Sequence, residues 1–412
     1  MNSKEIDNNR IKSIEIKNKN KYEIKEEIKG DIGKLACLWL NHMKTFRFRD
    51  IYRIIDHYGD IVETYRMMSG DNKEMVLEEM VSGRFIKSST RDEILRFDVE
   101  EWLDKMCDDM ERTDVRYVTY LDEDYPEKLR DIPEYPLVLF YRGDLGITKL
   151  PYSIGIVGSR RPSFYGLNVA EEFSGELARK GMTVVSGMAY GIDSKSHQAA
   201  MEADGKTIAV LGGGVDICYP EVNFNIYSEM CEDHLVVSEY EPGTPHVSKN
   251  FPARNRIISG LSDGLLVVEA ALRSGTLITA DFALNQGKQI FAIPGRTSDI
   301  LSKGSNNLIK QGAILVDSPI DIMVDILGTE YIREKNKVKQ PDSGGYNNKK
   351  KNINNLTTVQ RKLLAMLGHD PLYIDDLIRA NDMKISETIQ QMNELCRKGF
   401  ADCVEKCYYI LK

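Results

Sequence analysis

Three segments of the 412-residue chain join glycine to hydroxyl and guanidinium side chains in the manner of anion-binding loops. They are GIVGSRRPSFYG (155–166), SGMAYGID (186–193) and LGGGVDICYP (211–220). Glycines let backbone N–H groups approach a phosphate closely, Ser159 adds a hydroxyl, and Arg160 and Arg161 add planar donors matched to phosphate oxygens. A fourth segment, HVSKNFPARNRIISGLSDG, places Lys249, Arg254 and Arg256 in a stretch with no acid between Glu241 and Asp263. There Asn255 can donate and accept, and Phe251 offers a stacking face, which suits a sugar-phosphate chain with a splayed base better than a lone anion. In a fifth, EAALRSGTLITADFA, the run Arg273-Ser274-Gly275-Thr276 stands where a helix opens, so its amides could meet an anion or Thr276 could simply cap the helix.

Other chemistries are harder to assemble. The first loop lacks GxGxxG and a following acid for a ribose, which disfavours a dinucleotide, and no GxxxxGK[ST] is present for an ATPase. Ser186, Asp193 and His197 lie close in sequence, but His197 sits in an Ala- and Gln-rich helical stretch that reads as packing. His246 and Glu269 could serve as base and acid, yet no nucleophile is positioned for them. The seven cysteines form no CxxC pair, so neither a disulfide framework nor a zinc cluster is indicated. We therefore expect no catalytic residues, no metal and no cofactor.

These loops need a scaffold that brings them to one edge. From Ser153 onward short β-rich runs (SIGIVGS, TVVSG, TIAVLGGG, LVVSEY, GLLVVEA, QIFAIPG, AILV) alternate with helical stretches. Such alternation builds a parallel sheet with helices on both faces, a Rossmann-like α/β domain whose ligands sit at the carboxyl ends of the strands. Residues 1–30, rich in Lys, Asn and Glu, read as a solvated tail. Residues 31–115 carry apolar residues at helical spacing (Ile32, Leu35, Leu38, Trp39; Ile51, Ile54, Ile55) and predict a small helical module. The domain, with its proline-punctuated lead-in, spans 116–328. A flexible basic linker follows over 329–355, and 356–412 reads as three short helices and an extended run, a winged helix.

Composition sets outer limits. The chain is 42% hydrophobic and 29% charged, enough for a sizeable core, and its net charge of −8 requires any nucleic-acid site to be local. No stretch reaches the roughly 18 apolar residues of a membrane span, and the first residues lack a signal-peptide core, so a cytoplasmic protein is expected.

Taken together, GSRRPSFYG, SGMAYGID, LGGGVDICYP, FPARNRIISGLSDG, EAALRSGTLITA and the IPGR with its trailing GSNNLI resemble the DprA/Smf family over roughly 117–316. The resemblance implies a non-enzymatic, dimeric protein that binds and protects single-stranded DNA and loads RecA recombinase onto it in natural transformation. It implies a sterile-alpha-motif-like N-terminal domain and a winged-helix C-terminal one. Carried onto this chain, the DNA-binding residues would be Ser159, Arg160, Ser186, Gly187, Lys249, Arg254, Asn255, Arg256, Ser274, Gly275 and Thr276. One departure is that Met43 to Arg47 stands where the family has a glycine-rich helical hairpin. The competing resemblance is to nucleotide phosphoribohydrolases, in which Glu269 and Arg256 would act on a nucleoside monophosphate, but the full PGGxGTxxE signature is missing. A scaffold whose pocket is vestigial is the third reading.

Overall fold

The computed structural model describes residues 20–43, 46, 48–338, 356–368, 372–381, 384–405 and 408–411. Two compact units emerge, one comprising the described residues up to Arg161 with Ala170–Ile326, the other Pro162–Val169 with the described residues from Leu327. Among these residues no helix is long and apolar enough to cross a membrane.

The first unit begins with seven helices, from Lys21–Gly30 to Val99–Thr113. The first of them corrects the tail expected through residue 30; residues 1–19 lie outside the described residues. Asn20 and Glu23 close a capping box, Ile24 and Ile28 bury one turn apart, and Lys21, Lys25 and Lys29 follow the same period. Lys21 meets Asp108 at 2.8 Å, Lys25 meets Asp104, and Lys29 meets Glu100 at 2.7 Å, so the charge run is one face of a helix lying along Val99–Thr113. Trp39, Met68, Leu77 and Leu103 are buried in the core beneath these helices.

The sheet has nine strands: β1 (Arg116–Thr119), β2 (Val138–Gly143), β3 (Ser153–Val157), β4 (Thr183–Ser186), β5 (Thr207–Val210), β6 (Leu235–Ser238), β7 (Gly264–Val267), β8 (Gln289–Ala292) and β9 (Ile314–Leu315). Their order is β1-β2-β6-β5-β4-β3-β7-β8-β9. From β6 to β9 all neighbours run parallel, and strands β3 to β7 are buried along their whole length, as strands covered on both faces must be. The lead-in segment supplies β1 and β2, an antiparallel pair that extends this sheet with β2 antiparallel to β6. The chain builds outward from β3 to β6 and then returns to place β7 against the other side of β3. This reversal makes a switch point between β3 and β7.

The first residues of the flexible linker expected from 329 are helical instead. A helical run continues over Pro319–Val338, broken at Gly328 (φ +75°), and residues 339–355 lie outside the described residues. In the second unit the helices Thr358–Met366, Ile374–Asn381 and Ile385–Arg397 pack with β10 (Leu372–Tyr373), β11 (Ala401–Glu405) and β12 (Tyr408–Leu411). Those strands are ordered β10-β12-β11, and the small core contains Leu363, Leu377, Met392 and Leu395.

His197 is a packed residue. Thr207 Oγ1 donates to Val184 O at 2.8 Å and therefore accepts from His197 Nδ1–H at 2.7 Å, which leaves Nε2 unprotonated, buried and without a partner. Burial lowers its pKa to about 3, and it shifts His234 and His246 in the same direction. An unfolded His titrates near 6.5, so below that pH the unfolded chain takes up a proton the folded one refuses, and stability falls as pH drops from about 6.5 toward 3. We expect His197 alone to remove about 2 kcal/mol between pH 7 and pH 5. Urea unfolding at the two pH values checks this, and His197→Gln should flatten that part of the dependence.

Candidate nucleic-acid interface

The loops after β3 and β7 meet at the switch point. Ser274 caps the helix Gly275–Asn285, its Oγ accepting from Thr276 N at 3.2 Å and donating to Thr276 Oγ1 at 2.9 Å. Thr276 Oγ1 then donates to Gly158 O at 3.0 Å, fastening the helix start to the loop that carries Ser159 and Arg160. Capping and loop attachment thus use the hydroxyls of Ser274 and Thr276, while Gly275 is exposed at the helix N-terminus.

The second loop is held by a buried cation. Arg254, 3% exposed on the helix Asn250–Gly260, donates from Nη1 to Gly187 O at 2.9 Å. A side chain at Gly187 would place Cβ 2.5 Å from Arg254 Nη2 and 2.8 Å from Asp193 Oδ2, so backbone, cation and carboxylate crowd one point. Met188 next to it adopts φ +58° while fully buried, a conformation that costs roughly 1 kcal/mol and marks a constrained turn. Burial pushes the Arg254 pKa down to about 10; Asp193 favours its charged form and Arg160 opposes it. Burial also pushes the Asp193 carboxyl up, against Arg254 and the backbone N–H groups of Ala189 and Gly187. Neither Arg160 nor Arg254 forms a salt bridge among the described residues. Positive charge is therefore left over at this edge.

Aromatic rings stand beside that charge. The Arg160 guanidinium lies 5.1 Å from the Phe251 ring centre and that of Arg254 lies 6.0 Å away. His246 stacks on Tyr219 (5.1 Å, 18°) and on Phe251 (6.3 Å, 20°), and Tyr219 remains 42% exposed. The three glycines of the third loop make this stack fit. A Cβ at Gly212 would meet Phe251, one at Gly213 would meet the His246 ring, and one at Gly214 would meet Asp216. His246 Nε2 donates to Ile217 O at 3.0 Å and Asn250 Nδ2 to Gly212 O at 3.1 Å, so the third loop is clamped to the segment leading into the helix Asn250–Gly260.

The predicted residues divide accordingly. Ser159, Arg160, Gly187, Arg254, Ser274, Gly275 and Thr276 are drawn together by the contacts above, while Lys249 is exposed at the start of the helix Asn250–Gly260 and Asn255 is half-buried in its middle. Two stand apart. The Ser186 hydroxyl is fully buried and donates to Ile156 O at 2.6 Å, locking β4 to β3. Arg256 is 2% exposed and ion-paired with buried Glu239 at 2.6 Å, so its charge is already met inside the fold. Sequence reasoning missed Glu239 altogether, and saw Tyr219 only as part of a loop; an aromatic residue ending a glycine loop was the available signal.

The sequence matches the family described as DNA recombination-mediator protein A over residues 116–327. The chain belongs to the DprA/Smf family. Its lead-in segment, sheet and loops fall within that matched region, as the motif order implied. The DNA processing protein DprA of Streptococcus pneumoniae is 45% identical over 205 residues, covering 50% of this chain and 72% of the relative. Protein Smf of Escherichia coli is 37% identical over 292 residues, covering 70% and 76%. The X-ray structure of the Streptococcus pneumoniae protein superposes with a TM-score of 0.59 at 33% identity, over 72% of this chain and 98% of that one.

The crowding at Gly187 makes a direct prediction for a DprA/Smf protein of this geometry. Gly187→Ala forces Arg254 off the Gly187 carbonyl, and overpacking of this kind costs about 1–3 kcal/mol, read as a lower urea midpoint at unchanged slope.

Proposed function

We propose that this chain binds single-stranded DNA without base-sequence preference, as a non-catalytic DNA-processing protein. One observation carries the reading: Arg160 and Arg254, without salt-bridge partners among the described residues, flank an aromatic group whose outer ring is open to solvent. Phosphates would neutralise the cations, and an unstacked base would lie on the ring, contacts a paired duplex base cannot make. Arg160, Lys249 and Asn255 would meet the strand directly, with Arg161 beside them. Arg254 adds charge from behind the second loop. The first-loop backbone with Ser159, and the helix start at Ser274, Gly275 and Thr276, would receive a neighbouring phosphate.

The family resemblance extends the proposal. The bound strand is protected in the cytoplasm and handed to RecA, and the protein acts as a homodimer. The hydrolase alternative needs Arg256 and Glu269 at an open pocket, whereas both side chains are buried. Recombinase-filament formation on a protein-coated strand tests the loading step, and sedimentation tests the dimer.

Fluorescence anisotropy with labelled oligo-dT and its duplex over a salt series tests the binding itself. Wild type should prefer the single strand, and its affinity should fall linearly on a log–log salt plot. Arg160→Ala with Lys249→Ala should weaken binding by about 10- to 100-fold and flatten the slope by about 1.4, two phosphate contacts' worth. Tyr219→Ala should cost about 1–3 kcal/mol with the slope unchanged. Equal affinity for strand and duplex, or a double variant that binds like wild type, would overturn the assignment.

A further inference from the structure

The helix Asn250–Gly260 delivers Phe251, Arg254 and Asn255 to the site, but its second arginine is committed elsewhere. Arg256 donates from Nη2 to Glu239 Oε1 at 2.6 Å, from Nε to Glu134 O at 2.7 Å and from Nη1 to Ala253 O at 3.2 Å. Gln286 Nε2 donates to the Arg256 carbonyl at 2.9 Å. Through one residue the helix is therefore joined to the end of β6, to the lead-in segment and to the helix that starts at Gly275.

Glu239 opens the segment that runs from β6 to Lys249, and the N-terminal helices hold that segment at two points. Asn41 Nδ2 donates to Glu239 O at 3.0 Å. His42 Nδ1 meets Glu241 Oε1 at 2.8 Å, and Trp102 Nε1 donates to the same oxygen at 3.3 Å. Further along, Gly243 N donates to both Asp216 oxygens at 3.0 Å, and Gly214 N donates to Thr244 O at 2.8 Å, so the grip passes to the glycine loop beneath Tyr219 and His246. For Arg256 to reach a phosphate it would have to leave Glu239, whose Oε2 is already buried without a partner, as an uncompensated charge in the core.

We propose that Arg256 and Glu239 are positioning residues for strand binding. Their buried pair fixes the strand-facing helix and the start of the segment before it, and the N-terminal helices act on the site through Glu239 and Glu241. This inference rests on the single-strand reading above. It assigns the helical region a role without any contact to DNA, and it takes Arg256 out of the set that touches phosphate.

The sign of one substitution separates the alternatives. Were Arg256 a phosphate ligand restrained by Glu239, Glu239→Gln would release it, strengthening binding and steepening the salt slope; as a positioning pair, the same change loosens the helix. With the full chain and labelled oligo-dT, we expect Glu239→Gln to weaken binding about tenfold and Arg256→Lys, which keeps the charge but loses the planar fork, to do the same, each at an unchanged slope. Glu241→Gln acts on a half-buried contact outside the core and should weaken binding about threefold, again against the gain expected from removing a negative charge. It decides the matter should the Glu239 variant fail to show a native-like thermal transition. Unchanged or tighter binding by folded Glu239→Gln and Glu241→Gln would overturn the positioning role. Arg160→Ala, run alongside, tests the reading on which it rests: it should flatten the slope by about 0.7, and a strand affinity insensitive to it would overturn that reading instead.

Discussion

Two guanidinium groups on successive faces of one short helix are withdrawn from water, and the architecture around the loops follows from how each is accommodated. Taking a cation out of water is costly unless hydrogen bonds and opposite charge replace the lost hydration. Arg256 receives a full set: a buried carboxylate and two backbone carbonyls. Arg254 receives less, the Gly187 carbonyl and a longer contact from Nε to Asn255 Oδ1 at 3.3 Å with Asp193 nearby, and burial depresses its pKa while Arg160 adds repulsion. One arginine is thereby used up by the fold, and the other leaves residual positive potential at the strand ends.

That residual potential has effect only because the backbone allows it to be approached. The strand order reverses between β3 and β7, the point at which an open α/β sheet receives a ligand, and Thr276 binds the two sides through Gly158 O. The glycine loops contribute space more than flexibility. Gly212 and Gly213 leave room for Phe251 and His246, and Gly187 leaves room for Arg254 and Asp193. A chain with net charge −8 can in this way present a small basic and aromatic edge without a basic surface overall.

The N-terminal helices belong to the same compact unit as the sheet. Their contacts with Glu239 and Glu241 are polar and partly buried, formed by Asn41, His42 and Trp102. Such contacts set geometry more than they add stability, because each replaces an interaction with water of similar strength. The lysines of Lys21–Gly30 are different in kind: an exposed ladder of ion pairs, individually weak, lying over the buried Ile24 and Ile28 that hold the helix in place.

Local pattern was enough to read the strands, their alternation with helices and the loops at their carboxyl ends, because hydrophobic period and glycine placement are properties of neighbouring residues. The same kind of information identified Arg160, Lys249 and Phe251 by type. It could not separate Arg254 from Arg256, two residues apart in one basic run, since their difference lies in partners at Gly187 and Glu239 that only folding brings near. Nor could it tell that Ser186 spends its hydroxyl on Ile156, that Tyr219, His246 and Phe251 share one stack, or that the lysines before residue 30 line a helix whose acids are some 70 to 90 residues away. Sequence determined which chemical groups this protein brings to the sheet edge. Tertiary structure decided which of them face outward, because a charge or hydroxyl is free for a ligand only when no buried partner has already claimed it.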